Sequence, residues 1–198
     1  ILPHVRRREG PFGEFMGYYV PEDENHVFEV LDVSWRPGAT YHSLLCGSPE
    51  DLNTLELAVA TIIYQRVSAA LPGILDVACH SHIMQTVVKI KQLYEGHARQ
   101  VLIAALAANF DWSKICTVVD DDVDIHDLND VMWAFATRGR ADTAAFTVPA
   151  VPGFYRDPHK DYWGRLCLDA TKPWGREAEF ERKRIPGAEA VDLRDYLE

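Results

Sequence analysis

Short apolar runs alternate with longer amphipathic stretches through the middle of the chain, and this alternation limits the folds that are possible. Strands are predicted at 74–78, 83–90, 114–119 and 141–148, and helices are predicted at 98–110 and 127–137, with Trp133 among the buried candidates of the second helix. Strands that alternate with helices are typical of a layered α/β domain. The run at 114–119 is apolar almost throughout, which predicts the central strand of the sheet.

A long helix is expected to open this α/β domain. Ser48 is a suitable N-cap, Pro49 suits the first helical position, and Asp51 can complete a capping box. The pattern ends at the Leu-Pro-Gly sequence of residues 71–73. Between these signals, apolar residues recur at helical spacing and predict a buried stripe of Leu55, Val59, Ile62, Ile63 and Val67.

The first 47 residues differ, because they carry strand-type runs separated by turns. We predict strands at 15–20, 26–33 and 40–45 and a turn at 21–25. Three short strands do not enclose a core by themselves. The predicted division is therefore 1–47, the C-terminal strands of a β-domain, and 48–198, an α/β domain whose part after residue 149 wraps the surface or a partner subunit. Because the chain begins at Ile1 without a Met, we expect a piece of a longer protein.

Two glutamates, Glu9 and Glu14, flank a short segment of restricted geometry. Gly10 and Gly13 permit backbone conformations that are closed to other residues, and Pro11 fixes its own φ. A tight segment of this kind can hold two carboxylates in a set relation at the edge of a sheet, which suits general acid–base chemistry. Taken alone, the same composition is more often that of a surface turn with solvated acids.

The composition argues against several classes of partner. With 20 basic and 30 acidic residues the net charge is −10, and the one basic cluster at 6–8 is short, so neither a nucleic acid nor an anionic membrane is expected. No apolar run approaches the roughly 18 residues that a membrane-spanning helix needs. The cysteines form no CxxC pair, which favours reduced, mostly buried thiols in the cytoplasm: they are Cys46, Cys79, Cys116 and Cys167.

Three motifs together resemble the UbiD family of reversible decarboxylases, which use prenylated FMN. They are EGPFGEFMGYY at 9–19, the acidic run at 118–124 that leads into 131–138, and DATKP at 169–173. Their order and their spread over most of the chain make the resemblance specific to the C-terminal portion of such an enzyme. It implies that residues 1–47 end the flavin-binding β-barrel domain and that residues 48–198 form an α/β/α oligomerisation domain.

The resemblance also implies a reaction, cofactors and site residues. Family members remove CO2 from aromatic, heteroaromatic or α,β-unsaturated carboxylic acids, with prenylated FMN as the electron sink and with Mn or Mg and K in the full-length enzyme. Glu14 would donate the proton that replaces CO2, and Glu9 would orient an arginine from the missing N-terminal portion. Most cofactor and metal ligands would also lie there, so this chain alone would be inactive. The implied partners are the acid substrate, the N-terminal portion, and further copies in a homodimer or homohexamer.

Other residues leave alternatives open. The acids at 120–124 could bind a divalent cation, as in a metal-dependent glycosyltransferase, or could serve structure at the start of the next helix. His42 is a candidate substrate contact, although a structural histidine is more common. The sequence CHSH at 79–82 has no second ligand pair, which favours a loop between two strands over a metal site. A third possibility for the chain is a non-catalytic oligomerisation module.

Overall fold

The structure is a computed structural model that describes residues 1–109, 111–151, 153–154, 164–187, 191–192, 194 and 196. Its first part forms two small antiparallel ribbons. The four strands are β1 (Arg6–Glu9), β2 (Phe12–Gly13), β3 (Tyr19–Val20) and β4 (Asp23–His26). β1 pairs with β4, and β2 pairs with β3, so the two ribbons are nested in the chain.

The strands predicted in this part are wrong in position. Residues 15–18 form a turn, and the turn predicted at 21–25 contains most of β4. Residues 28–45 form no strand, because a strand needs a neighbour for its backbone N–H and C=O groups and the described residues provide no paired strand there. The large apolar side chains of residues 28–45 are instead exposed: Phe28, Val30, Leu31, Val33, Trp35, Tyr41, Leu44 and Leu45.

A mixed five-stranded sheet is the centre of the rest of the chain. Its strands are β5 (Ile74–His80), β6 (Gln85–Ile90), β7 (Ile115–Asp120), β8 (Ala145–Pro149) and β9 (Gly164–Asp169), in the spatial order β5-β6-β7-β9-β8. β7 runs parallel to both neighbours, and the outer strands β5 and β8 are antiparallel to theirs. The α/β fold class and the central position of the third predicted strand are confirmed.

Three helices cover the two faces of this sheet. α1 (Pro49–Ala70) and α2 (His97–Ala108) pack on one face, and α3 (Leu128–Arg138) packs on the other. Val88 of β6 belongs to the core under α1 and α2, whereas its neighbour Val87 belongs to the core under α3. Consecutive strand residues thus point to opposite faces of the sheet and belong to different cores, as the two-residue period of a strand requires.

The start of α1 follows the predicted capping chemistry with one difference. The Asp51 N–H donates to Oγ of Ser48 at 3.4 Å. The Asp51 carboxylate, however, accepts from the N–H of Gly47 at 3.0 Å, one residue earlier than a capping box would place it. Ile63 is buried as predicted, but Ile62 is 39% exposed, because a step of one residue rotates the side chain away from the sheet.

β9 is the principal element that the sequence patterns missed. The segment after residue 149 was predicted to wrap the surface, yet β9 lies inside the sheet between β7 and β8. The strand predicted at 141–148 begins only at Ala145, because Ala144 donates its N–H to the carbonyl of Arg140 and closes a turn. In the described part of the chain, no helix combines the length and the apolar character needed to cross a membrane.

Candidate functional site

Glu14 occupies the tip of the hairpin made by β2 and β3. The N–H of Glu14 donates to the carbonyl of Tyr18, and the N–H of Gly17 donates back to the carbonyl of Glu14, both at 2.9 Å. Gly17 has a φ of +82°, a left-handed conformation that other residues seldom adopt. The turn therefore holds the backbone of Glu14 in one place and leaves its side chain half-buried.

The Glu14 carboxylate is oriented by two donors on one oxygen. Its Oε1 accepts a hydrogen bond of 2.9 Å from the N–H of Phe15 and a longer one, 3.8 Å, from Sγ of Cys46. Partial desolvation, followed by the negative charges of Glu14 and Asp51, raises the pKa of the Cys46 thiol. Cys46 therefore remains protonated near neutral pH and keeps the hydrogen that it donates.

Glu9 belongs to the other ribbon, where it ends β1. It is exposed, lies opposite Asp23 in the register of β1 and β4, and accepts a hydrogen bond of 2.8 Å on Oε2 from Nδ2 of Asn25. The peptide bond between Gly10 and Pro11 is cis. The segment between the two glutamates is thus the connection between the two ribbons, and each ribbon carries one of the carboxylates.

Phe15 ties this hairpin to the α/β domain. Its side chain, only 7% exposed, meets the rings of Trp112 and Phe154 edge to face, with centroid distances of 5.8 and 5.6 Å. Trp112 and Phe154 stack on each other at 4.4 Å. Sequence reasoning missed this cluster, and missed Cys46 beside Glu14, because neither contact lies within a local motif.

His42 lies near the start of α1, at the surface. Its Nε2 is 3.3 Å from Oε1 of Glu50, and both side chains are largely exposed. A pair of this kind contributes little to stability. The role of His42 as a substrate contact stays a prediction.

Two acids of the run at 120–124, Asp120 and Asp122, belong to a partly buried ion cluster. Oδ2 of Asp120 accepts from Nη1 of Arg138 at 3.1 Å and from the N–H of Lys172 at 2.6 Å. Asp122 accepts two hydrogen bonds from the same guanidinium and lies 3.1 Å from Nζ of Lys172. Burial raises the pKa of Asp120; at Asp122 burial acts in the same direction, but Arg138 and Lys172 outweigh it and lower the pKa.

Comparison with known proteins identifies the family. Residues 53–170 match the 3-octaprenyl-4-hydroxybenzoate carboxy-lyase C-terminal domain, and residues 1–49 match the Rift-related domain of the same carboxy-lyase. The chain belongs to the UbiD family. A protein of Archaeoglobus fulgidus described as uncharacterised is 34% identical over 190 residues, which cover 89% of this chain and 38% of the relative.

Solved UbiD-class structures align over nearly the whole chain. HmfF of Pelotomaculum thermopropionicum in complex with FMN is 35% identical with a TM-score of 0.92, covering 99% of this chain and 45% of HmfF. An evolved dimeric form of HmfF in complex with prFMN is 31% identical with a TM-score of 0.85, and the alignment covers 99% of this chain and 43% of that form. The apo 3,4-dihydroxybenzoic acid decarboxylase AroY of Klebsiella pneumoniae is 28% identical with a TM-score of 0.82, and the alignment covers 98% of this chain and 44% of AroY. The chain thus spans less than half the length of these relatives.

The second and third UbiD motifs form one structural unit in this fold. Lys172 of the DATKP segment contacts both Asp120 and Asp122, and Asp169 accepts from the N–H and the hydroxyl of Thr171. Asp120 and Asp122 already pair with basic residues of this chain, Asp122 with the side chains of Arg138 and Lys172. This arrangement favours a structural role for the two acids over a glycosyltransferase metal site. Across the residues that the structure describes, no group of three or more His, Cys, Asp or Glu side chains is arranged to hold a metal ion.

Two further predictions have clear outcomes. Cys79 and His80 end β5, where Nε2 of His80 lies 2.7 Å from the carbonyl oxygen of Ile125, and the rest of the CHSH sequence forms the predicted turn between two strands. Trp133 of α3, predicted to be buried, is 40% exposed. The guanidinium of Arg182 lies 4.0 Å from the centroid of the Trp133 ring, so the indole packs against a cation rather than against the sheet.

Proposed function

We propose that the chain is the C-terminal portion of a UbiD-type decarboxylase that uses prenylated FMN. The substrate in this proposal is an aromatic, heteroaromatic or α,β-unsaturated carboxylic acid. The observation that carries the proposal is the oriented carboxylate of Glu14, held through Oε1 by Phe15 and Cys46. It occurs in a fold that aligns closely with HmfF, a UbiD-class enzyme solved with FMN, and with AroY, a decarboxylase of an aromatic acid.

The two glutamates suit proton transfer beside a flavin better than the binding of that flavin. Carboxylates give and take protons, whereas a flavin phosphate is bound by cations and backbone N–H groups. When bound, prenylated FMN supplies an electron sink for the pair that remains as CO2 departs. Glu14 then delivers a proton to the substrate carbon while the N–H of Phe15 holds its carboxyl group at Oε1. Glu9 orients an arginine of the upstream portion.

The upstream portion of the protein has further roles in this proposal. It completes the flavin-binding β-barrel that ends within residues 1–47, and it supplies strands that cover the exposed apolar side chains of residues 28–45. It also supplies most ligands for the cofactor and for Mn or Mg and K. His42 approaches the substrate only in that complete pocket.

Residues 48–198 mediate self-association as a homodimer or homohexamer. A dimeric form of HmfF, similar over nearly the whole of this chain, supports this part of the proposal. The proposed compartment is the cytoplasm, in line with free thiols at all four cysteines.

Reconstitution of the full-length protein tests the proposed function. The longer polypeptide that contains this chain is purified, loaded with prenylated FMN, and supplied with three acid classes: hydroxybenzoates, furan or pyrrole carboxylates, and cinnamate-type acids. We expect release of CO2 from members of one class, and incorporation of labelled CO2 into the same acids. Both reactions require the cofactor.

Two controls test whether CO2 release depends on the flavin and whether the protein transfers sugars. Apoprotein without the flavin should release no CO2, and addition of Mn with a nucleotide sugar should yield no sugar transfer or hydrolysis. If protein that holds prenylated FMN, as judged by its absorbance, converts none of the acids, the proposed function is wrong. Sugar transfer that Asp122→Asn abolishes would favour the glycosyltransferase alternative instead.

A further inference from the structure

The aromatic cluster of Phe15, Trp112 and Phe154 lies directly beside the proposed proton donor. Phe15 is the residue that follows Glu14, and its N–H is the donor to Oε1 of the carboxylate. Its side chain packs between two rings from distant parts of the chain, Trp112 before β7 and Phe154 after β8. One residue therefore contacts the carboxylate with its backbone and the α/β domain with its side chain.

The position of the Phe15 ring constrains the direction of the Phe15 N–H. The ring and the amide are attached to the same Cα, so a rotation of the backbone that redirects the N–H also moves the ring out of the slot formed by Trp112 and Phe154. A buried Phe side chain resists such movement, because it would lose its apolar burial and its edge-to-face contacts. The α/β domain thus fixes the Glu14 carboxylate through the side chain of Phe15.

The chain before α1 adds a second restraint on the same peptide. Gly47 has a φ of +79°, and a Cβ atom at this position would lie 3.0 Å from the carbonyl oxygen of Phe15. This close approach brings the preceding residue, Cys46, to the 3.8 Å contact with Oε1 of Glu14. The carboxylate oxygen is therefore held between a backbone amide, positioned by the buried Phe15 ring, and a thiol, positioned by the close approach of Gly47 to Phe15.

We propose that Phe15 and Cys46 are positioning residues for Glu14. Phe15 acts through the ring slot formed by Trp112 and Phe154, and Cys46 acts through its S–H group. Together they aim the carboxyl group of Glu14 at the substrate carbon. This inference rests on the proposed function, since it assigns the residues that make Glu14 an effective acid.

The test separates cleavage of the carbon–carbon bond from protonation of carbon. In the loaded full-length protein, exchange of labelled CO2 into the substrate requires cleavage and re-formation of that bond but no proton on carbon, whereas product formation requires the proton. We expect Trp112→Leu, which opens the ring slot, to slow product formation about tenfold, in the range that a displaced catalytic group costs. Exchange should stay within about twofold of wild type, and Trp112→Phe, which retains a ring, should restore product formation.

Cys46 offers a second pair of variants that leaves the core unchanged, because this side chain is exposed. Cys46→Ala removes the donor and should slow product formation without slowing exchange, whereas Cys46→Ser keeps a donor and should preserve both rates. A third readout needs no cofactor. Amide hydrogen exchange in the full-length apoprotein should become faster at the N–H of Phe15 in Trp112→Leu and should remain slow in Trp112→Phe.

The outcomes distinguish this inference from the proposed function. A wild-type protein that neither exchanges CO2 nor forms product overturns the proposed function and, with it, the positioning roles. If wild type is active and the Trp112 and Cys46 variants lower both rates in parallel, or lower neither, the positioning roles alone are wrong. Unchanged amide exchange at Phe15 in Trp112→Leu would contradict the mechanism through the ring slot.

Discussion

Arg138 and Asp122 form a two-point ion pair, with Nη1 donating to Oδ1 at 2.9 Å and Nη2 donating to Oδ2 at 2.7 Å. The Arg138 side chain is only 1% exposed, and Nη1 also reaches Asp120 at the end of the central strand. The last residue of α3 is thereby joined to the loop that follows β7. In this chain the acidic run is thus a connection between a helix and the sheet.

Replacement of Asp122 by Asn should destabilise the protein. It leaves the buried guanidinium of Arg138 with one carboxylate fewer, and loss of one partner of a buried ion pair typically costs on the order of 3 kcal/mol. The free energy of unfolding in urea measures the loss. Asp142→Asn is the matched control, because the pair of Asp142 with Arg140 is exposed and its removal should change nothing measurable. Equal losses in the two variants would refute the structural role of Asp122.

The same carboxyl group should make stability depend on acid pH. Although burial opposes ionisation, Arg138 and Lys172 hold the pKa of Asp122 below its ordinary value, so ionised Asp122 favours the folded state. This contribution is complete above the unfolded pKa of about 3.9 and is lost as the pH falls through the lower folded pKa. The difference in unfolding free energy between wild type and Asp122→Asn should therefore shrink below about pH 4. A difference that stays constant down to the lowest accessible pH contradicts this assignment.

Ser48→Ala should weaken the start of α1. Its hydroxyl is the acceptor for the Asp51 N–H, and loss of an N-cap of this type costs about 1 kcal/mol. Ser68→Ala serves as the control, since Ser68 is exposed in the last turn of the same helix and caps nothing at its start. Urea unfolding of both variants checks the prediction, which fails if Ser68→Ala is the more damaging change.

The four thiols should differ sharply in reactivity. Cys79, Cys116 and Cys167 are buried, and burial raises the pKa of Cys79 and of Cys167 to about 11. Cys46 is exposed, so a thiol reagent should modify it first in the native protein, with the other three reacting only on unfolding. Peptide mapping by mass spectrometry after a short reaction provides the readout. Early modification of Cys116 would show that the sheet is more open than the structure describes.

Most strands and helices of the α/β fold could be predicted from the sequence because their determinants are local. Ser48 and Pro49 mark a helix start by capping chemistry, and the apolar run that contains Val118 and Val119 marks a strand buried on both faces. β9 escaped detection because it is a short strand that enters the sheet between two strands that precede it in the chain. Its place depends on pairing with β7 and β8 rather than on its own pattern.

The candidate site was predicted only in part for a related reason. Glu9 and Glu14 lie in one motif, but the residues that fix the Glu14 carboxylate do not. Cys46 lies 32 residues after Glu14, and Trp112 lies nearly one hundred residues after it. No periodic sequence pattern connects these two residues with Glu14. The strands expected within 28–45 do not form, because a strand is stabilised by neighbouring strands. Apolar alternation in the sequence does not by itself provide such neighbours.

In the proposed reaction Glu14 supplies the proton that replaces CO2, and the Glu14→Gln variant tests this role. The full-length protein with Glu14→Gln is loaded with prenylated FMN, and product formation is compared with exchange of labelled CO2 into the substrate. We expect product formation to fall by about 100-fold or more, the usual contribution of a general acid, while CO2 exchange persists. Glu95→Gln, at an exposed carboxylate in the α/β domain, should match wild type. Product formation at the wild-type rate in Glu14→Gln would contradict the account.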